Sequence, residues 1–306
     1  MATLDASDCV DQIIDALPAA SITAAQKTSR FKQFDIVADH SDHFYTYSNM
    51  SAGKKGDCFK NAGSNVYKKI MQEWRILENN LPESIFVRVY EGRIDLLRAV
   101  IIGAQGTPYH DGLFFFDFAF PSDYPNNPPL VHYHSHGLEL NPNLYDNGYV
   151  CLSLLNTWSA EETEMWNPTG STVLQALVSL QALVLNEKPY YNEPGYEEPS
   201  SGDWDLDSAE YNGEVFGLSC KTMMFLIDNP PKNFEAFVKD HFCERANVIL
   251  AACRAYIEGR ARVGYYDGSP SSPCTVDVSR EFKGTMEALY PNLEVAFNRN
   301  AASKSA

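Results

Sequence analysis

Val66, Ile70, Trp74, Leu77 and Leu81 recur at the three-and-four spacing that lays one apolar stripe along a helix. The pattern predicts a helix over about Ser64–Asn80, stopped by Pro82, with Lys68, Lys69 and Arg75 off the stripe on a solvated basic face. Past the proline the period shortens. Ile85–Tyr90, Ile94–Ile102 and Leu113–Phe120 read as strands, the first two joined through Glu91-Gly92-Arg93 as a hairpin. A fourth strand, about Leu130–His134, follows a proline-punctuated stretch. Leu113-Phe114-Phe115-Phe116-Asp117-Phe118 is too bulky to be solvated on both faces and belongs at the centre of a sheet. One helix and then four consecutive short strands imply an antiparallel meander in an α+β fold rather than alternating β-α-β units.

Further on, Ser171–Leu185 is apolar almost all round, the mark of a buried helix, and Pro189-Tyr190-Tyr191-Asn192-Glu193-Pro194 ends it. Helices are expected near Glu214–Ile227 and from Asn233 to about Glu258, separated by Pro230-Pro231. Residues 260–278 read as loop, a short helix around Arg280–Leu289 docks back, and Asn298–Ala306 frays. Ahead of residue 64 lies a lead-in that is mostly loosely held. It holds a short helix over Asp11–Leu17, a docking strand over Phe31–Val37 and a Gly- and Lys-rich linker over Ser51–Gly63. The division is therefore a partly flexible extension over 1–63, a domain over 64–259 that includes the C-terminal helices, and a second extension over 260–306.

Composition narrows the partners. With 44% apolar and 12% aromatic residues the chain is globular, and a net charge of -16 argues against nucleic acid or an anionic membrane surface as partner. Basic protein clients suit that charge. Met1–Ala20 lacks the pattern of a signal peptide, and nowhere do 18 apolar residues run together as a membrane span needs. Seven cysteines without a CxxC pair fit reduced thiols in cytosol or nucleus better than a disulfide scaffold or zinc ribbon.

The chemistry concentrates in Asn141-Pro142-Asn143-Leu144-Tyr145-Asp146-Asn147-Gly148-Tyr149-Val150-Cys151. An amide lies eight residues before a thiol, with an Asn147-Gly148 turn signal between them, an arrangement that brings a nucleophile and a hydrogen-bond donor into one shallow site. The stretch resembles the active-site segment of ubiquitin-conjugating (E2) enzymes, which usually carry His-Pro-Asn eight residues before the catalytic Cys. Other members of the family's ordered set are present: Phe120-Pro121-Ser122-Asp123-Tyr124-Pro125-Asn126-Asn127-Pro128-Pro129, Trp166-Asn167-Pro168 and the buried helix. The resemblance covers about residues 64–196 well and the C-terminal helices more loosely. The insertion between Cys151 and Trp166, and the Pro-Tyr-Tyr-Asn-Glu-Pro ending, are similar to the large hybrid E2/E3-type members, which include plant enzymes.

The resemblance implies a UBC fold: N-terminal helix, four-stranded meander, active-site loop, buried central helix and extra C-terminal helices. It implies that Cys151 accepts ubiquitin from the E1 activating enzyme as a thioester and passes it to a lysine, with no cofactor or metal. Hybrid members add E3-like direct client selection. Asn143 is then the oxyanion donor or a brace of the loop, and either Asn192 or Glu193 assists the incoming lysine. Lys68, Lys69 and Arg75 become candidates for E1 binding, and Phe120, Pro121 and Pro168 for a RING-type E3. Asn141 stands where the family has His; it replaces part of that side chain's hydrogen bonding but not its ring packing, which weakens the expected bracing of the loop. Two other readings compete: a catalytically silent UBC-fold binding module, and a Cys/His hydrolase or metal domain using Cys151 with His132, His134 and His136. Finally, Glu193, Glu197, Glu198, Asp203, Asp205, Asp207, Glu210 and Glu214 form an acidic stretch, read as a solvated connection or as a negative rim that attracts lysine-rich clients.

Overall fold

The computed structural model describes residues 31–47, 57–158, 161–196, 206–268 and 276–302. Strand β1 (Phe34–Val37) and a single helical turn, α1 (Asp57–Lys60), precede helix α2 (Asn65–Asn80). Four strands follow: β2 (Ile85–Tyr90), β3 (Arg93–Ile102), β4 (Leu113–Ala119) and β5 (Leu130–Tyr133). Helix α3 (Val173–Ser179) runs on through a π turn at Leu180–Val184. Three long helices complete the order: α4 (Leu206–Asp228), α5 (Glu235–Ile257) and α6 (Arg280–Ala302). The five strands form one sheet in sequence order. The expected antiparallel meander is β2 to β5, and β1 adds a fifth strand, parallel to β2 with Phe34 opposite Val87.

Helix α2 starts where Ser64 accepts a hydrogen bond from Tyr67 N at 3.0 Å, and it ends at Leu81, which is held extended ahead of Pro82. Its buried stripe is Val66, Ile70, Glu73 and Leu77, with Trp74 displaced to the flank against Phe34. Buried Glu73 accepts from the Tyr124 hydroxyl at 2.8 Å and from Val173 N at 3.0 Å, so one carboxylate joins α2, the proline-rich segment and the start of α3. Thr172 and Gln175 close a capping box on that same helix start.

Alternation gives the sheet two different faces. Val87, Ala99, Phe114, Phe116 and Phe118 face α2 and α3. Val100, Leu113 and Phe115 face Phe216, Phe234, Phe242 and Met286 of the C-terminal helices and the turn before α5. Strand β4 is buried at all seven positions, as its bulk predicts. Polar residues on the second face are covered by the segment around 39–47. Arg98 donates to both carboxylate oxygens of Asp117, at 2.6 and 2.8 Å, and to Asp42 at 2.8 Å, while Asp117 accepts from Phe44 N at 2.8 Å. Residues 31–47, read above as part of a loosely held lead-in, are thus bonded to the sheet.

The last helix differs from its expected length. Met286, Leu289, Leu293 and Phe297 all enter the second core, and Asn300 donates to Lys239 O at 3.0 Å, so residues 298–302 are docked, not frayed. Pro291 lies inside this helix at an exposed position. The expected helix over Asp11–Leu17 lies outside the described residues.

Candidate active site

The loop from β5 to Cys151 is fixed by alternate burial. Leu140, Leu144 and Val150 are buried, and Leu144 bridges both Asn141 and Val150. The turn between them closes through Tyr145 N to Tyr149 O at 3.1 Å and Gly148 N to Tyr145 O at 2.9 Å. Asn147 Oδ1 accepts from Tyr149 N at 2.9 Å, the side-chain-to-backbone bond that makes Asn a turn former. Gly148 has φ +84°, and a Cβ there would lie 2.1 Å from His132 Cε1, so only glycine fits. Tyr133 N donates to Gly148 O at 2.8 Å and ties the turn to β5.

This scaffold sets Asn143 and Cys151 side by side. Cys151 N donates to Asn143 O at 2.9 Å, and Asn143 Nδ2 returns a bond to Cys151 O at 3.0 Å. The side chain of Asn143 therefore braces the loop in this state. Cys151 lies just beneath the surface, 5% exposed, with its thiol donating to Thr157 O at 3.2 Å. Burial pushes the thiol up from its ordinary pKa, and the Tyr145 hydroxyl opposes that rise. Tyr145 was not singled out from the sequence; an aromatic in the turn between the amide and the thiol was the available signal.

Asn141 is fully buried and acts as a hub. Its Oδ1 accepts from Asn143 N at 2.8 Å and Asn192 Nδ2 at 3.3 Å, and its Nδ2 donates to the Tyr109 hydroxyl at 2.8 Å and Val184 O at 2.7 Å. The bracing expected to be weak without His is supplied by these four bonds, and Tyr109 provides the buried ring. Asn192 is committed to the same hub: it also donates to Val184 O at 3.2 Å and accepts from Asn186 at 2.8 Å. Its amide has no basic lone pair, and both of its ends are engaged in these bonds. Glu193 is exposed one residue on, and with Glu139 it bears on the Tyr145 hydroxyl, whose pKa is raised first by the Cys151 sulfur and then by burial.

The surface candidates divide. Lys68 and Arg75 are exposed two helical turns apart on one side of α2, whereas Lys69 is turned toward buried Glu73 at 3.5 Å. Phe120 is wholly buried, edge-on to Tyr124 at 4.8 Å, so it offers no contact to a partner; it continues the inward alternation of β4. Pro121 is half-buried and Pro168 exposed, beside Trp166, which is anchored through its indole N–H to Pro125 O at 2.7 Å. The three histidines do not converge. His132 stacks on Phe44, His134 approaches Asp117 at 3.1 Å, and His136, at φ +52°, stacks on Phe225. Among the described residues no group of three or more His, Cys, Asp or Glu is arranged to hold a metal. Of the acidic stretch, Glu197, Glu198, Asp203 and Asp205 lie outside the described residues, while Asp207, Glu210 and Glu214 are exposed along α4. No described helix is long and apolar enough to cross a membrane.

A helix on an antiparallel sheet, an amide and a thiol registered in the loop that follows, and a buried helix behind them make up the ubiquitin-conjugating fold. A family model described as "Ubiquitin-conjugating enzyme" matches residues 69–216. The chain is 51% identical over 270 residues to Arabidopsis thaliana "Probable ubiquitin-conjugating enzyme E2 24", covering 88% of this chain and 29% of that protein. It is 54% identical to "Putative ubiquitin-conjugating enzyme E2 38" of the same plant, covering 75% of this chain and 68% of the relative. The human "Dual E2 ubiquitin-conjugating enzyme/E3 ubiquitin-protein ligase BIRC6" is 38% identical over 76% of this chain and 5% of its own length. A solved structure of human ubiquitin-conjugating enzyme E2 G1 overlaps 38% of this chain and 91% of its own at 27% identity, with a TM-score of 0.33. The chain belongs to the ubiquitin-conjugating enzyme family. It spans well under half the length of the first plant relatives it matches, 29% and 37% for two of them.

Proposed function

We propose that this chain is an E2 enzyme in which Cys151 accepts ubiquitin from E1 as a thioester and transfers it to a substrate lysine. The observation that carries the reading is the reciprocal pairing of Asn143 and Cys151, which holds an amide donor in fixed register beside a near-surface thiol. A thiol needs only mild help near neutral pH to act as a nucleophile. In transfer, Asn143 Nδ2 leaves the Cys151 carbonyl and donates to the oxyanion formed as lysine attacks, a contribution of about 2.7–4 kcal/mol for one such donor in other enzymes. Glu193, exposed beside the same mouth, takes the lysine's proton.

Lys68 and Arg75 are the E1-facing residues of this reading, and Pro121 and Pro168 those for a RING-type E3. Residues 64–259 are the catalytic unit. Exposed Glu139, Glu193 and Glu214 all bear on Tyr211, and this gathered negative charge supports basic segments as clients and E3-like direct selection. Cytosol or nucleus is the compartment proposed for such clients and for reduced thiols. The test is E1-dependent charging of the purified chain. Wild type should gain a ubiquitin adduct that reducing agent removes, Cys151→Ala should gain none, and Cys151→Ser should trap an adduct that resists reduction. A thiol-sensitive adduct on Cys151→Ala would assign the chemistry to another cysteine and end this reading.

A further inference from the structure

We infer that the groove between α4 and α6 is a docking site for client segments whose apolar side chains are flanked by Lys or Arg. This deepens the reading of basic clients and direct selection, and it rests on that reading. The groove consists of two adjoining hollows of about 270 and 220 Å³ that share Glu210, Gly213, Ser279 and Phe282. It follows α4 from Leu206 to Lys221, roughly 22 Å at the helical rise, which is the length of six or seven extended residues.

Its lining is largely apolar and its shape is already set. Ala209, Val263, Val278 and Phe282 line it, and Leu206, which begins it, is 80% exposed. Gly213 lets the Phe282 ring lie close against α4, since a Cβ there would come within 2.9 Å of Phe282 Cδ2. The opposite wall is held by its own hydrogen bonds. Phe282 N donates to Ser279 Oγ at 3.2 Å, Val276 N to Gly259 O at 2.8 Å, and Gly264 N to the Tyr256 hydroxyl at 3.0 Å. A groove formed in advance avoids the cost of ordering it on binding.

Charge selects the occupant. Glu210 and Glu214 on α4, Asp277 before α6 and Glu281 on α6 are exposed along the groove, and among the described residues none of the four is in an ion pair. Against these four acids the lining carries two bases, Lys221 and Arg262, and Arg262 is already engaged. Acids on facing walls repel one another across the apolar floor. A segment that brings cations to the rim offsets this repulsion, and its apolar side chains release water from Leu206 and Phe282. An acidic segment gains only the second effect, and a wholly polar basic one only the first.

The groove also lies where a docked client could reach the thiol. The other flank of the first turns of α4 faces the active-site side: Tyr211 meets Tyr190 at 5.9 Å, and Asn212 donates to Glu187 O at 2.9 Å, in the segment that leads to Asn192 and Glu193. Groove and mouth are therefore separated by the width of a helix, about 10–12 Å. Three or four extended residues, at about 3.3 Å each, carry a lysine from the docked segment past α4.

The experiment measures fluorescence anisotropy of a labelled peptide, Lys-Arg-Phe-Leu-Arg-Lys, with the full chain at about 50 mM and about 150 mM salt. One control peptide has Asp and Glu in place of the bases, and another has Ser in place of Phe and Leu. The first peptide should bind about tenfold more tightly than either control. Glu210→Gln/Glu281→Gln, at two exposed positions, should weaken it about tenfold at the lower salt and about threefold at the higher. Ala209→Trp, which fills the groove, should weaken it about tenfold at both. Ubiquitin transfer to lysine of the peptide, relative to transfer to free lysine, should fall in step. Absence of binding, equal affinity for the three peptides, or wild-type affinity in Glu210→Gln/Glu281→Gln overturns the proposal. Binding that appears only when residues 269–275 are replaced by a Gly-Ser linker also overturns it, since the chain's own segment is then the occupant. A chain that binds the peptide but never charges from E1 leaves the groove standing and removes the thioester reading.

Discussion

Asn141 allows the bracing of the active-site loop to be measured separately from its chemistry. Asn141→Ala removes four hydrogen bonds at a fully buried position. Three of the four groups it abandons keep a partner: Asn192 Nδ2 still donates to Val184 O, and the Tyr109 hydroxyl still donates to Leu140 O. Asn143 N does not, and an orphaned donor of this kind costs about 1–3 kcal/mol on top of the net worth of the bonds lost. The sum is about 3 kcal/mol, which for a chain of this size lowers the melting temperature by roughly 5 °C. The functional cost should fall on the step that needs Asn143 in register. Displacing a catalytic group by about 1 Å can cost 100-fold, so discharge to free lysine should slow by about 10- to 100-fold, with charging held within about 3-fold. Thermal melts and single-turnover discharge of the preformed thioester measure the two effects. A variant that melts within about 2 °C of wild type and discharges normally would show that the hub is not what holds the loop.

Three further outcomes follow from the same structure. Asn143→Ala should charge nearly normally but discharge to lysine about 100-fold more slowly, as loss of one oxyanion donor requires; equal loss of both steps with a large drop in melting temperature would make its role structural. Reversing Lys68 and Arg75 to Glu should raise the apparent KM for E1-dependent charging and leave discharge untouched, whereas reversing Lys69, already paired with Glu73, should affect stability instead; unchanged charging kinetics for the Lys68/Arg75 pair would return them to a solvated face. Asp111 is buried, which opposes its ionisation, yet His110 at 2.9 Å and Arg245 at 2.6 Å bring its carboxyl down to about 2. A depressed acid contributes stability that is present above its unfolded pKa of about 4 and lost as pH falls through about 2, here roughly 2 kcal/mol. The stability gap between wild type and Asp111→Asn, which keeps the residue's positive φ acceptable, should close by about that amount between pH 4 and pH 2 in denaturant titrations; a constant gap would refute the ion-pair origin.

What could be read from the sequence depended on whether a residue's surroundings were local. The α2 stripe is legible, but apolar periodicity runs it through Trp74 where the buried position is Glu73, a carboxylate whose partners, Tyr124 and Val173, lie 51 and 100 residues away and leave no local signal. The resemblance points to Phe120 as a docking contact, but the alternation through Phe114, Phe116 and Phe118 turns it inward. The spacing of Asn143 and Cys151 was legible because one short turn creates it. The hub around Asn141 was not, since Tyr109, Val184 and Asn192 reach it from three separate segments.

The second face of the sheet follows the same rule, and it shows why the chain needs more than the expected fold. A meander solvated on one side should alternate apolar and polar along each strand. Here Phe86, Val100, Leu113 and Phe115 are apolar on the face turned away from α2, so burial on both sides is demanded by strands that periodicity alone assigns to one core. The helices α4, α5 and α6 cover that apolar half. The remaining half carries Arg88, Arg98 and Asp117, which cannot be buried unpaired. The lead-in meets this need: Asp42 takes Arg98, Phe44 N takes Asp117, and Lys32 O takes Arg88 at 3.0 Å. Residues 31–47 are thus electrostatic partners of the central strands. Because β5 leads from those strands directly into the loop of Asn143 and Cys151, the covering of the far face is also part of what holds the thiol in register.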